Sequence, residues 1–312
     1  VAPGQGLVWQ AITSQVDTPG SESDFVSVQD VARSRFASHP WSIGGGGAAE
    51  LKELLDRQPR RVHQLVEAPG FGGISAADDL FGSEGSGAFG RLGLESRSVR
   101  PLVIGDGVRD WTALVRHECV FPYNSELIEI AELPGLFRYL WPYKYILGNR
   151  AAFSKATYFE ENRPWWEWHQ VSLDRATADR LIVYAFVSTH SHFAVRHGGE
   201  IFKQSAPVML PFKSTSDESL YALCAALNSS VGEFWFKQVL QPKDRSPEAW
   251  LTRFEHDSAK VQDFPLVQDD RLATFAAALD HLASALHDQS PRSLSAEATL
   301  TSSVLEEAKV AT

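Results

Sequence analysis

The feature that most constrains the fold is an apolar run rich in β-branched and aromatic residues, from 181 to 187. Its sequence, Leu-Ile-Val-Tyr-Ala-Phe-Val, is typical of a strand. A second extended run, 200–204, follows Gly198-Gly199. Two glycines between extended runs predict a β-hairpin. Pro207 and Pro211 place the second run at a sheet edge or bend.

Segments with helical spacing flank these runs, because their apolar residues recur three and four positions apart. Pro142 interrupts the longest of them, and Ser216 or Asp217 is suited to cap the helix that follows. Residues 1–27 lack periodicity and read as a linker or arm. The predicted helices span 28–37, 48–57, 132–153, 217–227, 231–241, 247–259 and 271–287.

These patterns predict an α+β fold, with a twisted, mostly antiparallel sheet that contains a hairpin and packs against several helices. We expect three parts. Residues 1–65 form a linker and helical connector, residues 66–215 form the α+β domain, and residues 216–312 form a helical C-terminal region packed on it.

The charge distribution limits the class of ligand. The formal net charge of −10 argues against a generally basic nucleic-acid binder. Residues 180–213, however, carry four bases and one acid, a net charge of +3. The acidity is peripheral, so the strand-rich region permits an anionic partner.

The cellular setting follows from what the sequence lacks. Two cysteines form no disulfide framework, which favours a reducing, cytoplasmic compartment. No apolar run is long enough for a membrane span, and the N-terminus does not resemble a signal peptide. Because the chain begins at Val1 rather than Met, we expect it to be a fragment of a longer protein.

Common catalytic arrangements are absent from the sequence. It contains no Gly-x-Ser-x-Gly elbow, and neither Cys119 nor Cys224 stands in a recognisable catalytic context. It also contains no Pro-Pro dipeptide, which the target-amine turn of an adenine methyltransferase requires. We therefore expect no catalytic residue in this chain.

His190 and His192 are candidate metal ligands, because they are two residues apart and so share one side of a strand. His197 or Glu200 across the glycine turn would complete a ligand set. We favour the alternative, in which these histidines form a polar strand end or donate hydrogen bonds to a ligand. The sequence therefore predicts no metal ion.

The aromatic block from Trp165 to Gln170 is more typical of a binding surface than of a catalytic or metal site. Aromatic rings stack on bases, amides pair with adenine, and Arg or Lys pairs with guanine or phosphate. Strand alternation would direct Trp166, Trp168 and Gln170 to one side and Trp165 to the other, with one set buried. The predicted DNA-binding residues are Arg109, Lys144, Arg150, Lys155, Arg163, Trp166, Trp168, His169, Gln170, Arg196, Lys203 and Gln204.

At these residues the chain resembles a known family. The segments that resemble the C-terminal target-recognition region of Eco57I/TaqI-like adenine methyltransferases are Pro142-Tyr143-Lys144, Asn149-Arg150, Trp165-Trp166-Glu167-Trp168-His169-Gln170, Arg180-Leu181-Ile182-Val183 and Leu227-Asn228-Ser229-Ser230. A narrower resemblance, to the PglX-like methyltransferases of Pgl/BREX or DISARM phage defence, lies in Thr189-His190-Ser191-His192-Phe193, 198–208, Phe234-Trp235-Phe236-Lys237-Gln238, 35–42 and 44–51.

The resemblance implies a long parent protein whose catalytic domain uses S-adenosylmethionine to methylate the N6 atom of a flipped adenine. This chain would supply target recognition, would hold no cofactor itself, and would bind double-stranded DNA. The alternative is a protein-interaction module that docks other defence proteins or a phage DNA mimic. A standalone hydrolase is a third, weaker reading.

Overall fold

The computed structural model describes residues 3–37, 41, 47–244, 246, 248–267, 269 and 271–289. Within them there are eleven α-helices and fourteen short strands, and the strands form five small sheets. This architecture confirms the predicted α+β class. In chain order these are α1 (Leu7–Gln15), α2 (Ala48–Asp56), β1 (Gly73–Ile74), α3 (Asp78–Phe81), β2 (Gly82–Glu84), α4 (Ala88–Arg91), β3 (Val99–Val103), β4 (Val108–Arg109), β5 (Thr112–Ala113), β6 (His117–Val120), α5 (Pro134–Leu140), α6 (Lys144–Gly148), β7 (Gln170–Val171), α7 (Leu173–Ala176), β8 (Leu181–Tyr184), β9 (Val187–Ser188), β10 (Phe193–Arg196), β11 (Ile201–Phe202), β12 (Val208–Met209), α8 (Asp217–Asn228), α9 (Ser230–Val239), β13 (Gln241–Pro242), β14 (Phe254–Glu255), α10 (Ser258–Gln262) and α11 (Arg271–Asp288).

The predicted apolar strand, β8, lies at the centre of its sheet. It pairs antiparallel with β10 on one side and β12 on the other. Ile182 and Tyr184 join a core with the C-terminal helices, while Leu181 and Val183 join a second core with β3 and β11. Both faces of β8 are therefore buried, which explains why its sequence shows no polar alternation.

The predicted hairpin across Gly198-Gly199 is wrong. The hairpin partner of β8 is β10, whereas β11 lies parallel to β3 in a different sheet, with Ile201 opposite Leu102. Both glycines have positive φ, +83° and +86°, and they turn the chain from one sheet to the other. A Gly-Gly turn sets the local direction of the chain but does not determine which strand it then pairs with.

The interrupted helical segment forms in part as predicted, because α5 and α6 are present but the helix ends at Gly148 and does not continue to residue 153. Leu133, Leu136 and Leu140 are fully buried along α5, and Pro142 lies in a 3-10 turn that separates α5 from α6. Together with the sheet β11-β3-β6-β2, these helices enclose a further core. This core supports the aromatic block.

The C-terminal region is helical only in part. Ser216 and Ser229 cap α8 and α9, accepting hydrogen bonds from the backbone of Ser219 and Gly232. The helix predicted at 247–259 is wrong within the described residues, because β14 uses its backbone groups to pair with β9 and β13. The domain boundaries after residues 65 and 215 stay predictions.

The long helix α11 is confirmed, but its leucine-rich face is exposed. Ala276 is fully buried in the packing of α11 against α8. Phe275, Leu279, Leu282 and Leu286 are at least 40% exposed. Small residues allow this close helix contact, so the stripe of large apolar residues does not identify the packed face.

The N-terminal predictions fail in two places. A helix, α1, forms within residues 1–27, for which the sequence predicts a linker or arm. The helix predicted at 28–37 does not form, because Val28 instead exchanges backbone hydrogen bonds with Ser21 and Gly20, and a 3-10 turn follows at Arg33–Phe36. Across the described ranges, none of the helices combines the length and apolar character that a membrane crossing requires.

Candidate nucleic-acid interface

The aromatic block folds as a turn rather than as a strand. The backbone N–H of Glu167 donates to the carbonyl of Pro164, and strand β7 begins only at Gln170. Burial therefore does not follow the predicted alternation. Trp165 and Trp168, three residues apart, are both buried, at 8% and 5% exposure.

The tryptophans are held by hydrogen bonds as well as by packing. The Trp168 indole N–H donates to the carbonyl of Val120 at 2.9 Å, and its ring lies edge-on to Phe121. The Trp166 indole N–H donates to the carbonyl of Ile128 at 3.1 Å. Because the ring of Trp168 is buried, it is not available for base stacking, and Trp166 is only partly accessible.

Arg150 clamps the aromatic block. Its guanidinium donates to the carbonyls of Leu147, Ser75, Trp165 and Glu167 at 2.6–3.0 Å. Burial lowers the pKa of Arg150, but not enough to remove its charge at neutral pH. With its donors directed to the backbone, this arginine organises the fold rather than presenting a free cation.

Arg163 is similarly committed. It pairs with Glu167, donates to the carbonyl of His169 and lies over the ring of Tyr158, 4.2 Å from its centroid. Its salt bridge to Glu167 neutralises the positive charge of the guanidinium, which would otherwise be available to bind a phosphate. Of the predicted cations in this region, Arg150 and Arg163 are therefore the least suited to a phosphate.

A more accessible group lies beside His169. The ring of Phe153 is 73% exposed and lies 4.4 Å from the imidazole of His169, whose Nδ1 is hydrogen-bonded to the hydroxyl of Tyr158 at 3.1 Å. Burial, followed by Arg163 and Arg150, lowers the pKa of His169, so the ring is neutral at pH 7. Lys155 is exposed, and its ammonium group has no ion pair within the described ranges. Sequence reasoning missed Phe153, although an aromatic residue two positions from a lysine was a readable signal.

Lys144 belongs to a neighbouring aromatic surface. Its ammonium group lies 4.7 Å from the ring centroid of Trp141, which is half exposed. Tyr145 and Ile146 on the same short helix are 77% and 67% exposed. Exposed aromatic and apolar side chains next to a cation suit either base stacking or contact with a protein.

The two amide-bearing segments are brought together around β1. Gln170 pairs with Ile74 of β1, and Lys203 forms a parallel bridge to Gly73 of the same strand. Gln170 and Gln204 are both exposed. The sequence positions are more than thirty residues apart, yet a single strand separates them, about 10 Å in sheet spacing.

The electrostatics around Lys203 are mixed. Its ammonium group is 2.7 Å from a carboxylate oxygen of Asp78. A cleft of about 410 Å³ is lined by Lys203 and Gln204 together with the acids Asp78, Asp79 and Glu84. Burial opposes ionisation of Asp78, but hydrogen bonds from Lys203 and Ser75 outweigh it and lower the pKa of Asp78, so its carboxylate stays ionised at neutral pH.

The remaining predicted arginines lie apart from the aromatic block. Arg196 forms a salt bridge with Glu200 across the glycine turn, which also removes Glu200 from the ligand set considered for a metal. Arg109 is exposed at the end of β4 and donates to the carbonyl of Val108. It lines a different cleft, with His190 and Arg253.

This fold is found in a restriction-modification enzyme. The chain superposes on the solved Type IIL restriction-modification enzyme MmeI in complex with DNA with a TM-score of 0.51. The match covers 73% of this chain and 29% of that one, at 13% sequence identity. At that identity the likeness establishes the fold.

By sequence, the chain is similar to a methyltransferase. The chain is 37% identical, over 318 aligned residues, to the adenine-specific methyltransferase PglX of Streptomyces coelicolor. The alignment covers 98% of this chain and 26% of that protein, so the chain spans about a quarter of the length of the relative it matches. No protein-family model matches the chain. The chain is thus homologous to one part of an adenine-specific methyltransferase.

Proposed function

We propose that this chain is the DNA target-recognition module of an adenine-N6 DNA methyltransferase of a phage-defence system, working in the cytoplasm. The observation that carries the proposal is the conjunction of two likenesses. The sequence is homologous to a quarter of an adenine-specific methyltransferase, and the fold is that of part of a restriction-modification enzyme that was solved on DNA.

Methyl transfer itself is proposed for the parent protein, which would bind S-adenosylmethionine outside this chain. The sequence has no Pro-Pro turn to hold the target amine. In a module of this kind, phosphate contacts set the position of the protein on the duplex, and base contacts recognise the target sequence.

The accessible groups divide between these two roles. Phe153, His169 and Gln170 offer stacking and hydrogen-bonding groups. Lys155, two residues after Phe153, offers an exposed cation that pairs with no acid in the described part of the chain. Gln204 on the far side of β1 adds a second amide. Lys144 and Arg109 are further cations at the surface, whereas Arg150, Arg163, Arg196 and Trp168 support the fold through the contacts described above.

The proposal is tested by electrophoretic mobility shift with genomic DNA fragments. The double variant Phe153→Ala/Lys155→Gln should weaken binding at least tenfold, because it removes a stacking ring and a phosphate contact. A matched control, Phe275→Ala/Lys213→Gln, removes an exposed ring and an exposed lysine elsewhere and should bind normally. Equal binding by the two double variants would remove this surface from the proposal.

A protein-interaction module is the second candidate, favoured by the exposed apolar side chains of Trp141, Tyr145 and Ile146. The net charge of −10 also disfavours general attraction to DNA. In this reading the partner is another defence protein or a protein that mimics DNA. A pull-down with candidate partners, in parallel with the mobility shift, separates the two functions. If the chain is a protein-interaction module, Tyr145→Ala should reduce capture of the partner without changing DNA binding.

A further inference from the structure

A group of three potential metal ligands forms where two distant segments meet. Asp110, His190 and His192 each offer one ligand atom, and these atoms lie within 4.8 Å of one another. Nδ1 of His192 is 2.6 Å from a carboxylate oxygen of Asp110, and the two imidazole ring centroids are 4.2 Å apart. Asp110 and His192 are far apart in the sequence, so no local sequence pattern predicts this arrangement.

The segment that carries the two histidines is fixed to helix α9. Ser191, between them, donates its backbone N–H and its hydroxyl to the Glu233 carboxylate of α9, at 2.7 and 3.0 Å. Nδ1 of His190 is hydrogen-bonded to the hydroxyl of Thr189 at 3.0 Å, which leaves Nε2 for another partner. Hydrogen bonding at the second ring nitrogen is how proteins orient metal-binding imidazoles.

Asp110 is held by an unusual turn. It forms, with Trp111, the two-residue loop between β4 and β5. Trp111 has a φ of +67°, a conformation that bulky residues rarely adopt. Its backbone N–H donates to the carbonyl of Phe193, the residue after His192. This contact accompanies the strained turn and holds the Asp110 carboxylate beside the histidines.

We propose that Asp110, His190 and His192 bind a divalent transition-metal ion, with Zn²⁺ as the preferred ion. Two imidazoles and one carboxylate are a ligand set that suits Zn²⁺ and its first-row neighbours and disfavours Mg²⁺. Tetrahedral coordination with bonds of about 2.0–2.1 Å places ligand atoms roughly 3.3 Å apart. The present separations bracket that value, so movements of about 1 Å complete the site.

The fourth position faces an open cleft. A space of about 560 Å³ adjoins the ligands and is also lined by Arg109, Thr189 and Arg253. It is roomy enough for water or an anionic oxygen such as that of a phosphate to bind there. The site does not depend on the proposed DNA recognition, because its ligands lie apart from the aromatic block.

Zinc binding is measured by isothermal titration calorimetry on the full 312-residue chain after removal of metals by a chelator. We expect one Zn²⁺ per chain, competition by Co²⁺ with visible absorption bands, and no competition from equimolar Mg²⁺. Asp110→Asn and His190→Ala, both at exposed positions, should each weaken binding at least about tenfold. His281→Ala, an exposed histidine on α11, is the matched control and should bind as the wild type does.

Circular dichroism confirms that each variant is folded before titration. The absence of saturable Zn²⁺ binding by the wild-type chain would overturn the proposal. Wild-type affinity in both Asp110→Asn and His190→Ala would overturn it equally, because the ion would then be bound elsewhere.

Discussion

The side chain of Asn228 takes the place of a neighbouring strand for Phe193. Its Oδ1 accepts a hydrogen bond from the backbone N–H of Phe193 at 2.9 Å, and its Nδ2 donates to the carbonyl of the same residue at 2.7 Å. The end of α8 is thereby fixed to the start of β10. The link also fixes the histidine pair that immediately precedes Phe193.

Replacing Asn228 should destabilise the protein markedly. Asn228→Ala removes the acceptor of the Phe193 backbone N–H and one of the donors to the Phe193 carbonyl, which keeps the bond from the Trp111 N–H. The expected cost is roughly 1–3 kcal/mol in the free energy of unfolding. Denaturant unfolding measures this cost. Asn149→Ala, which removes one exposed hydrogen bond to the carbonyl of Tyr145, is the control and should change stability by less than about 0.5 kcal/mol. Similar costs for the two substitutions would contradict the role assigned to Asn228.

The glycine turn gives a matched pair of substitutions. A Cβ at Gly199 meets no atom within 4 Å, so Gly199→Ala should cost only the strain of positive φ, about 1–2 kcal/mol. A Cβ at Gly198 lies 2.5 Å from the carbonyl oxygen of Ala178, so Gly198→Ala should cost at least about 1 kcal/mol more. Thermal or denaturant unfolding compares the two. Equal stability would show that the close approach to Ala178 is not present in solution.

Arg150 should behave as a structural residue. Arg150→Lys keeps a positive charge but cannot reach four carbonyl oxygens at once, and we expect a loss of roughly 2–4 kcal/mol in unfolding free energy. Lys155→Gln, at an exposed site, should leave stability unchanged. A variant Arg150→Lys that is as stable as the wild type but defective in DNA binding would reverse the roles given to these two residues.

The buried imidazole of His256 should make stability depend on pH. Burial lowers its pKa from the usual 6.5 to about 4, and its Nδ1 has no hydrogen-bond partner among the residues that the structure describes. The unfolded chain therefore binds a proton that the folded protein resists. The stabilisation is complete above pH 6.5 and is lost as the pH falls from there towards 4, by roughly 2 kcal/mol between pH 7 and 5.

Unfolding free energies at pH 7 and pH 5 test this expectation, with His256→Leu as the comparison. The variant should show a smaller loss on acidification, because it cannot titrate there. A residual loss from His169, whose pKa is also lowered, has the same sign. An identical loss in wild type and variant would exclude His256 as a source of the pH dependence.

The sequence was most informative where a pattern is local. The apolar run of β8, the serine caps of α8 and α9 and the break at Pro142 were all readable, because each depends on residues near one another in the chain. The pairing of β11 with β3 was not readable, since strand partners are chosen by contacts a hundred residues apart.

The candidate surface shows the same limit. The aromatic block was identified, but the turn at Pro164 decided which indoles are buried, and no periodicity predicts that. The four carbonyls that occupy Arg150 come from three separate segments, so its structural role was invisible in the sequence. Asp110 was missed for the same reason.

The salt dependence of DNA binding tests the central claim most directly. Fluorescence anisotropy with a labelled genomic duplex should show affinity falling roughly 10- to 150-fold between about 50 and 200 mM salt, as two to four phosphate contacts predict. Lys155→Gln should make the slope shallower by about one contact. Affinity that stays flat over this range, or no binding at the lowest salt, would contradict DNA recognition by this chain.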